Sequence, residues 1–267
     1  MSEFETDTAV ESTGDGVYTA TVTDRWNAVS GRPNGGHLLA IALRALSAEL
    51  PQPDPLVVSA FFLRPGLIGP ATIQTSVVRA GRRVATGEAR LSQDGKEVIR
   101  LTASYLDFGQ TAGRTAILGQ APELPAPEDC VNPIPPGGVP GVTVVDRFEF
   151  RYAEVPGWFR GKPGHAPTSE FWVRFIDGHE PDGVGLAALV DSAAPAVLDF
   201  GVLNSSTIEL TVHLRARPAP GWLACRVSTR YVIDGLHEED FEIWDSKGDL
   251  VAQSRQLGLL TEPPAAP

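Results

Sequence analysis

The 267-residue sequence predicts an α+β fold of two repeated units, each an antiparallel sheet wrapped around one apolar helix. Three observations lead there. First, His37 to Leu50 (HLLAIALRALSAEL) and Val184 to Leu198 (VGLAALVDSAAPAVL) are apolar on nearly every face, and such helices are buried rather than laid on a surface. Second, each is followed by four strand-like segments. Third, residues 121–141 hold Pro122, Pro125, Pro127, Pro133, Pro135, Pro136 and Pro140. A stretch so rich in proline is neither helix nor central strand, because proline lacks the N–H and fixes φ. It reads as a linker between two halves.

The elements follow in order. A strand over Gly16–Thr23 precedes the first helix, which Pro33-Asn34-Gly35-Gly36 opens and the cluster Pro51-Gln52-Pro53-Asp54-Pro55 closes. Strands are expected near 56–64, 71–79, 83–92 and 97–107. Beyond the linker, Val142 to Tyr152 sets Phe148, Phe150 and Tyr152 alternately with Arg147, Glu149 and Arg151, the period-2 pattern of a half-buried strand. Another strand covers Glu170–Ile176. After the second helix come strands near 206–215, 221–232, 236–245 and 249–260. The tail Glu262 to Pro267 reads as frayed.

Counting fixes the register of the repeat. Leu63-Arg64 stands 79 − 64 = 15 residues before Arg79, and Leu214-Arg215 stands 230 − 215 = 15 before Arg230. Gly95 sits three before Val98, and Gly248 three before Val251. Arg64 to Gly95 spans 31 residues, against 33 for Arg215 to Gly248, a duplication with a two-residue insertion. The expected organisation is an N-terminal unit over 1–120, a linker over 121–141 and a C-terminal unit over 142–267. One helix wrapped by a long sheet, twice over, is a double hotdog.

Composition narrows the function. Lys plus Arg is 22 and Asp plus Glu is 33, so the net charge is 22 − 33 = −11. That balance speaks against nucleic acid and against an anionic membrane surface as partners. The longest apolar run is broken by Arg44, and the acidic start Met1-Ser2-Glu3-Phe4-Glu5 carries no basic n-region, so neither a membrane span nor a signal peptide is expected. Cys130 and Cys225 make neither a disulfide framework nor a metal cluster, and they read as free thiols in a reducing cytoplasm. His37, His165, His179, His213 and His237 are too dispersed for a metal site. Gly183-Val184-Gly185-Leu186-Ala187-Ala188 fits a dinucleotide fingerprint, yet consecutive strands follow rather than alternating strands and helices. His237-Glu238-Glu239-Asp240 lacks the second His of a zincin, and no nucleophile elbow or phosphate loop occurs. No cofactor is expected.

The stretch from Asn34 through Tyr105, with Phe62-Leu63-Arg64-Pro65-Gly66 and Gln93-Asp94-Gly95-Lys96 before Thr102-Ala103-Ser104-Tyr105, resembles the acyl-CoA thioesterase II (TesB-like) family. Val190-Asp191-Ser192, Ser206-Thr207-Ile208-Glu209 and Asp245 to Gly258 extend the resemblance, which covers most of the chain apart from the termini and the linker. It implies an acyl-CoA substrate and a water oriented by an Asp in the second helix, a Thr or Ser opening the next strand and a Gln in the last strand. The matching positions are Asp191, Thr207 and Gln256. The chain departs from the family's pattern at Ser59, where His is common, and at Glu209-Leu210, where Asp-His is favoured.

The residues speak for themselves as well. Asp191 is the lone charge of its helix, and an unpaired buried carboxylate is costly, so it is solvated, paired or functional. Thr207 is ordinary at the start of a strand, with Ser206 the substitute if the register slips. Gln256 replaces Ala103 at the repeat-equivalent place, counted eight residues from Gly248 and Gly95, as though one half kept a polar task. Asn34, Gly35 and Gly36 offer bare N–H groups at a helix start to an anion or an oxyanion, or simply cap the helix. His37 could line the same site or serve the core. Arg79, Arg82 and Arg83 could meet coenzyme A phosphates or form an exposed hairpin. Arg64 reads as structural. Two other readings stay open: a hotdog hydratase or dehydratase with His37 partnering Asp191, and a non-catalytic acyl-thioester-binding protein. Sheet edges suggest a dimer.

Overall fold

The structure, a computed structural model, describes residues 1–29, 31–164, 166–201 and 204–260; His165 and the tail 262–267 lie outside them. The first half runs α1 (Glu3–Asp7), β1 (Glu11–Gly14), β2 (Val17–Val22), α2 (Gly35–Glu49), β3 (Asp54–Phe62), β4 (Gly69–Ala80), β5 (Ala85–Gln93) and β6 (Lys96–Leu106). The second runs β7 (Phe148–Arg151), β8 (Thr168–Phe175), α3 (Gly183–Leu189), β9 (Ser205–Leu214), β10 (Leu223–Ser228), β11 (Val232–Ile233), β12 (Leu236–Trp244) and β13 (Leu250–Leu260).

All these strands join one antiparallel sheet of thirteen, in the order β1-β2-β4-β5-β6-β3-β9-β13-β12-β10-β8-β7, with β11 on β12. The order reads alike outward from the β3–β9 seam. There Val58 stands opposite Val212 and Ala60 opposite Leu210, so the two halves share one hydrogen-bonded ladder. This is the double hotdog expected from the repeat.

The sheet wraps the helices because its inner face alternates apolar with polar along each strand. In β5, Ala85, Ala89 and Leu91 are buried while Arg90 is exposed. The helix α2 fills the first half. Leu39, Ile41, Leu43 and Leu46 are fully buried, each contributing on the order of 1.5–3 kcal/mol of transfer free energy. Leu46 lies over Gly87, where an added Cβ would sit 2.7 Å from its Cδ1. Gly36 lets α2 meet α3, since a Cβ there would come within 2.2 Å of the Ala188 carbonyl oxygen.

The second helix departs from expectation. It ends at Leu189, and only a 3-10 turn over Ala196–Phe200 follows Pro195, so Asp191 lies in the turn past the helix. Proline at 195 lacks the N–H that a continuing helix needs. The stretch before β7 starts as a 3-10 turn over Val144–Arg147, and β10 stops at Ser228. Unforeseen were α1 and β1. The capping box of Ser2 with Glu5 explains α1, and its fully buried Phe4 packs edge-on to Trp26.

Candidate active site

Asn34 ends an extended segment at the N-cap of α2, where its Oδ1 accepts from the His37 N–H. Its Nδ2 donates to the backbone oxygen of Asp191 at 2.7 Å and to Oδ2 at 3.1 Å. The Gly36 N–H donates to the same Oδ2 at 2.7 Å. A Cβ at Gly35 would stand 2.8 Å from Asp191 Oδ2 and 2.7 Å from the Phe62 ring. The glycines thus serve the carboxylate: they let the positive end of a 15-residue helix rest against Asp191. The expectation that their N–H groups stand free for an oxyanion is corrected at Gly36, whose N–H is spent on Asp191.

Burial pushes the Asp191 carboxyl up to about 6, against the hydrogen bonds from Gly36 and Asn34, which favour the ionised form. Thr207, near the start of β9, donates through Oγ1 to Gln256 Oε1 at 2.8 Å. Asp191, Thr207, Gln256, Asn34 and Gly35 all line one cavity of about 520 Å³. Its apolar wall includes Ile134, Val139, Val145, Trp158, Phe159 and Leu198, residues of the proline-rich segment and the second half. Arg64 is the one Lys or Arg among the lining residues, with Nη1 donating to the Glu97 carbonyl.

Behind the cavity wall, β13 lies between β9 and β12. Gln256 stands opposite Glu239, and Gln256 Nε2 donates to Glu239 Oε1 at 2.6 Å. The Ala196 N–H donates to Glu239 Oε2 at 2.7 Å. Burial raises the Glu239 carboxyl to about 8, and the charge of Asp191 adds to the rise. Next along the strands, Ser205 Oγ and His237 Nε2 are 2.7 Å apart, and His237 reaches across because Gly258 has no side chain. In the sequence Glu239 and His237 are weighed only as part of a run that lacks the second His of a zincin. Their signal was alternation: His237, Glu239, Phe241 and Ile243 share the buried face of β12.

Of the alternatives left open for His37 and for the three arginines, the structure shows the ones away from the cavity. His37 is fully buried, stacked on Trp26 with ring centroids 5.1 Å apart, and is not among the lining residues. Burial drives its pKa down to about 3, so it is neutral. Arg79, Arg82 and Arg83 are exposed around the β4–β5 turn, and the carbonyls of Gly81 and Arg82 accept from Gln52, just past the C-terminal end of α2. At about 1.5 Å per residue, α2 sets that turn the helix's length away from Asn34. Arg64, read as structural, is the arginine at the cavity.

Comparison with known proteins decides the family. Residues 22–106 match the acyl-CoA thioesterase N-terminal domain, and residues 127–260 match the acyl-CoA thioesterase C-terminal domain. The chain belongs to the acyl-CoA thioesterase family. A candidate thioesterase II from Thermobifida fusca shares 29% identity and superposes with a TM-score of 0.88, covering 98% of each chain. An acyl-CoA thioesterase II, TesB2, from Mycobacterium marinum has the same fold at 18% identity and a TM-score of 0.74, covering 98% of this chain and 100% of that one. An uncharacterized Mycobacterium tuberculosis protein is 26% identical over 91% of both chains. This member of the thioesterase family keeps an apolar cavity beside its acidic turn. Among its described residues, no group of three or more His, Cys, Asp or Glu is placed to hold a metal ion, and no helix is long and apolar enough to cross a membrane.

Proposed function

We propose that this member of the family hydrolyses acyl-CoA thioesters to free acid and coenzyme A, with Asp191, Thr207 and Gln256 as the reacting set. One observation carries the reading: a carboxylate poised near pH 6 beside the Thr207–Gln256 hydrogen bond, on the wall of an apolar cavity. The acyl chain lies among Ile134, Val139, Trp158 and Phe159. A water held between Asp191 and Thr207 attacks the thioester carbon, and its proton passes to Asp191 as general base. The carbon–sulfur bond then breaks, and the leaving thiolate takes up the proton. The start of α2 supplies a positive field for charge developing on the carbonyl oxygen. Arg64 at the cavity is the group suited to coenzyme A phosphates.

Free-thiol release from acyl-CoAs of graded length, acetyl to palmitoyl, tests the reading, with Asp191→Asn alongside. Turnover that peaks at one chain length and collapses in the variant is expected. No release from any substrate, or full activity in Asp191→Asn, would overturn it. The hydratase reading loses its pair, because His37 is locked beneath Trp26.

A further inference from the structure

Glu239 is a buried carboxylate whose two oxygens both accept hydrogen bonds, from the Ala196 N–H and from Gln256 Nε2. Neither partner is a cation. A fold does not need such a group at this place. The repeat-equivalent strand pair of the first half is Gly87 opposite Ala103, covered by Leu46. The second half sets Glu239 opposite Gln256 and stops its helix short, so that Ala196, the first donor past Pro195, can meet the carboxylate.

The geometry points to Glu239 as a positioning residue that fixes which way the Gln256 amide faces, and we propose it as such. The inference rests on the reading of Asp191, Thr207 and Gln256 as the hydrolytic set. A primary amide presents an acceptor on one side and donors on the other. In its ionised form, with both oxygens accepting, Glu239 draws the Gln256 nitrogen toward itself, and the amide oxygen must face Thr207. Thr207 then spends its single proton on Gln256 Oε1, at 2.8 Å, and turns lone pairs toward the cavity. A water there can give one hydrogen to Asp191 and the other to Thr207, which leaves an oxygen lone pair for the thioester carbon. With the amide reversed, Gln256 would donate to Thr207 and the Thr207 proton would point at the water or at Asp191. That proton would compete for the lone pair that attacks, or weaken the base.

Glu239→Gln tests this with almost no change of shape. The backbone N–H of Ala196 cannot turn, so the introduced amide would keep its oxygen there and aim its nitrogen at Gln256. Two donors cannot face each other, so the Gln256 amide reverses. Measured above pH 8, where Glu239 is ionised, the expected result is a kcat lower by roughly ten- to a hundredfold, the size of effect that removing an orienting partner produces, with KM nearly unchanged. The exchange Glu239→Gln with Gln256→Glu restores every donor and acceptor. Ala196 then donates to the introduced amide oxygen, and the amide nitrogen and Thr207 both donate to the introduced carboxylate. The exchange should recover part of the lost kcat. A purely structural Glu239 would lower the melting temperature, leave kcat in place, and gain nothing from the exchange; that pattern overturns the inference. If Asp191→Asn and Thr207→Val abolish turnover while Glu239→Gln keeps it, the inference falls and the hydrolytic set stands. A wild-type protein without thiol release removes both together.

Discussion

Asp191 shows how little a side chain's identity decides and how much its surroundings do. A carboxylate in water is a weak base; moved beside an apolar cavity, it rises to about 6, and the Gly36 and Asn34 donors keep it from rising further. If it takes the proton from water, kcat/KM should climb with pH through about 6, and again through about 8 as Glu239 ionises, as a rate profile would record. Asp191→Asn should lower kcat by on the order of a hundred- to ten-thousandfold, the usual contribution of a general base. The same shifts bear on stability. Asp191 and Glu239 ionise at about 6 and about 8 in the folded chain, above their ordinary values of 3.8 and 4.5. The folded state therefore binds more protons than the unfolded one between those limits. The stability these groups contribute is full below about pH 4 and is lost as pH rises through 6 and then 8. Melting curves at several pH values should show the wild type falling relative to Glu239→Gln between about pH 4.5 and 8. At this scale the sequence was legible where a polar residue broke a pattern, as at Asp191 and Gln256. It was opaque at Glu239, whose burial depends on a strand register that only pairing with β13 settles.

Among the elements, the start of α2 separates two kinds of glycine. A methyl at Gly36 would strike the Ala188 carbonyl, so Gly36→Ala should cost roughly 1–3 kcal/mol or more by forcing α2 from α3, measurable by denaturant unfolding. A methyl at Gly35 meets Asp191 and Phe62 instead. Gly35→Ala should depress turnover more than stability, which parallel activity and melting measurements would separate. Leu46→Ala should cost about 2–5 kcal/mol, because Leu46 fills the space that Gly87 leaves open. Strands and α2 could be read from periodicity, since buried faces impose it. The extent of α3 could not. An apolar run through Val184–Leu198 looks like one helix until Pro195 and the partners of Asp191 and Glu239 are known. Likewise the arginines of the β4–β5 turn form a basic cluster in an acidic chain, yet the length of α2 separates them from Asn34.

Over the whole molecule, the repeat has diverged by task. One half keeps an unbroken helix over small strand residues; the other interrupts its helix and fills the same positions with polar groups. Counting intervals revealed the duplication but not the seam, because β3 and β9 pair across more than a hundred intervening residues. The seam has a kinetic consequence. Asn34, Gly35 and Gly36 come from one half, while Asp191, Thr207 and Gln256 come from the other. Were the halves separate chains, the site would exist only while two molecules held together, and dilution would dissolve it. Here the tether keeps each half at a high effective concentration about the other. If the proposed hydrolysis takes place here, turnover per molecule should stay constant as the protein is diluted toward the nanomolar range. Each chain carries its own partner with it.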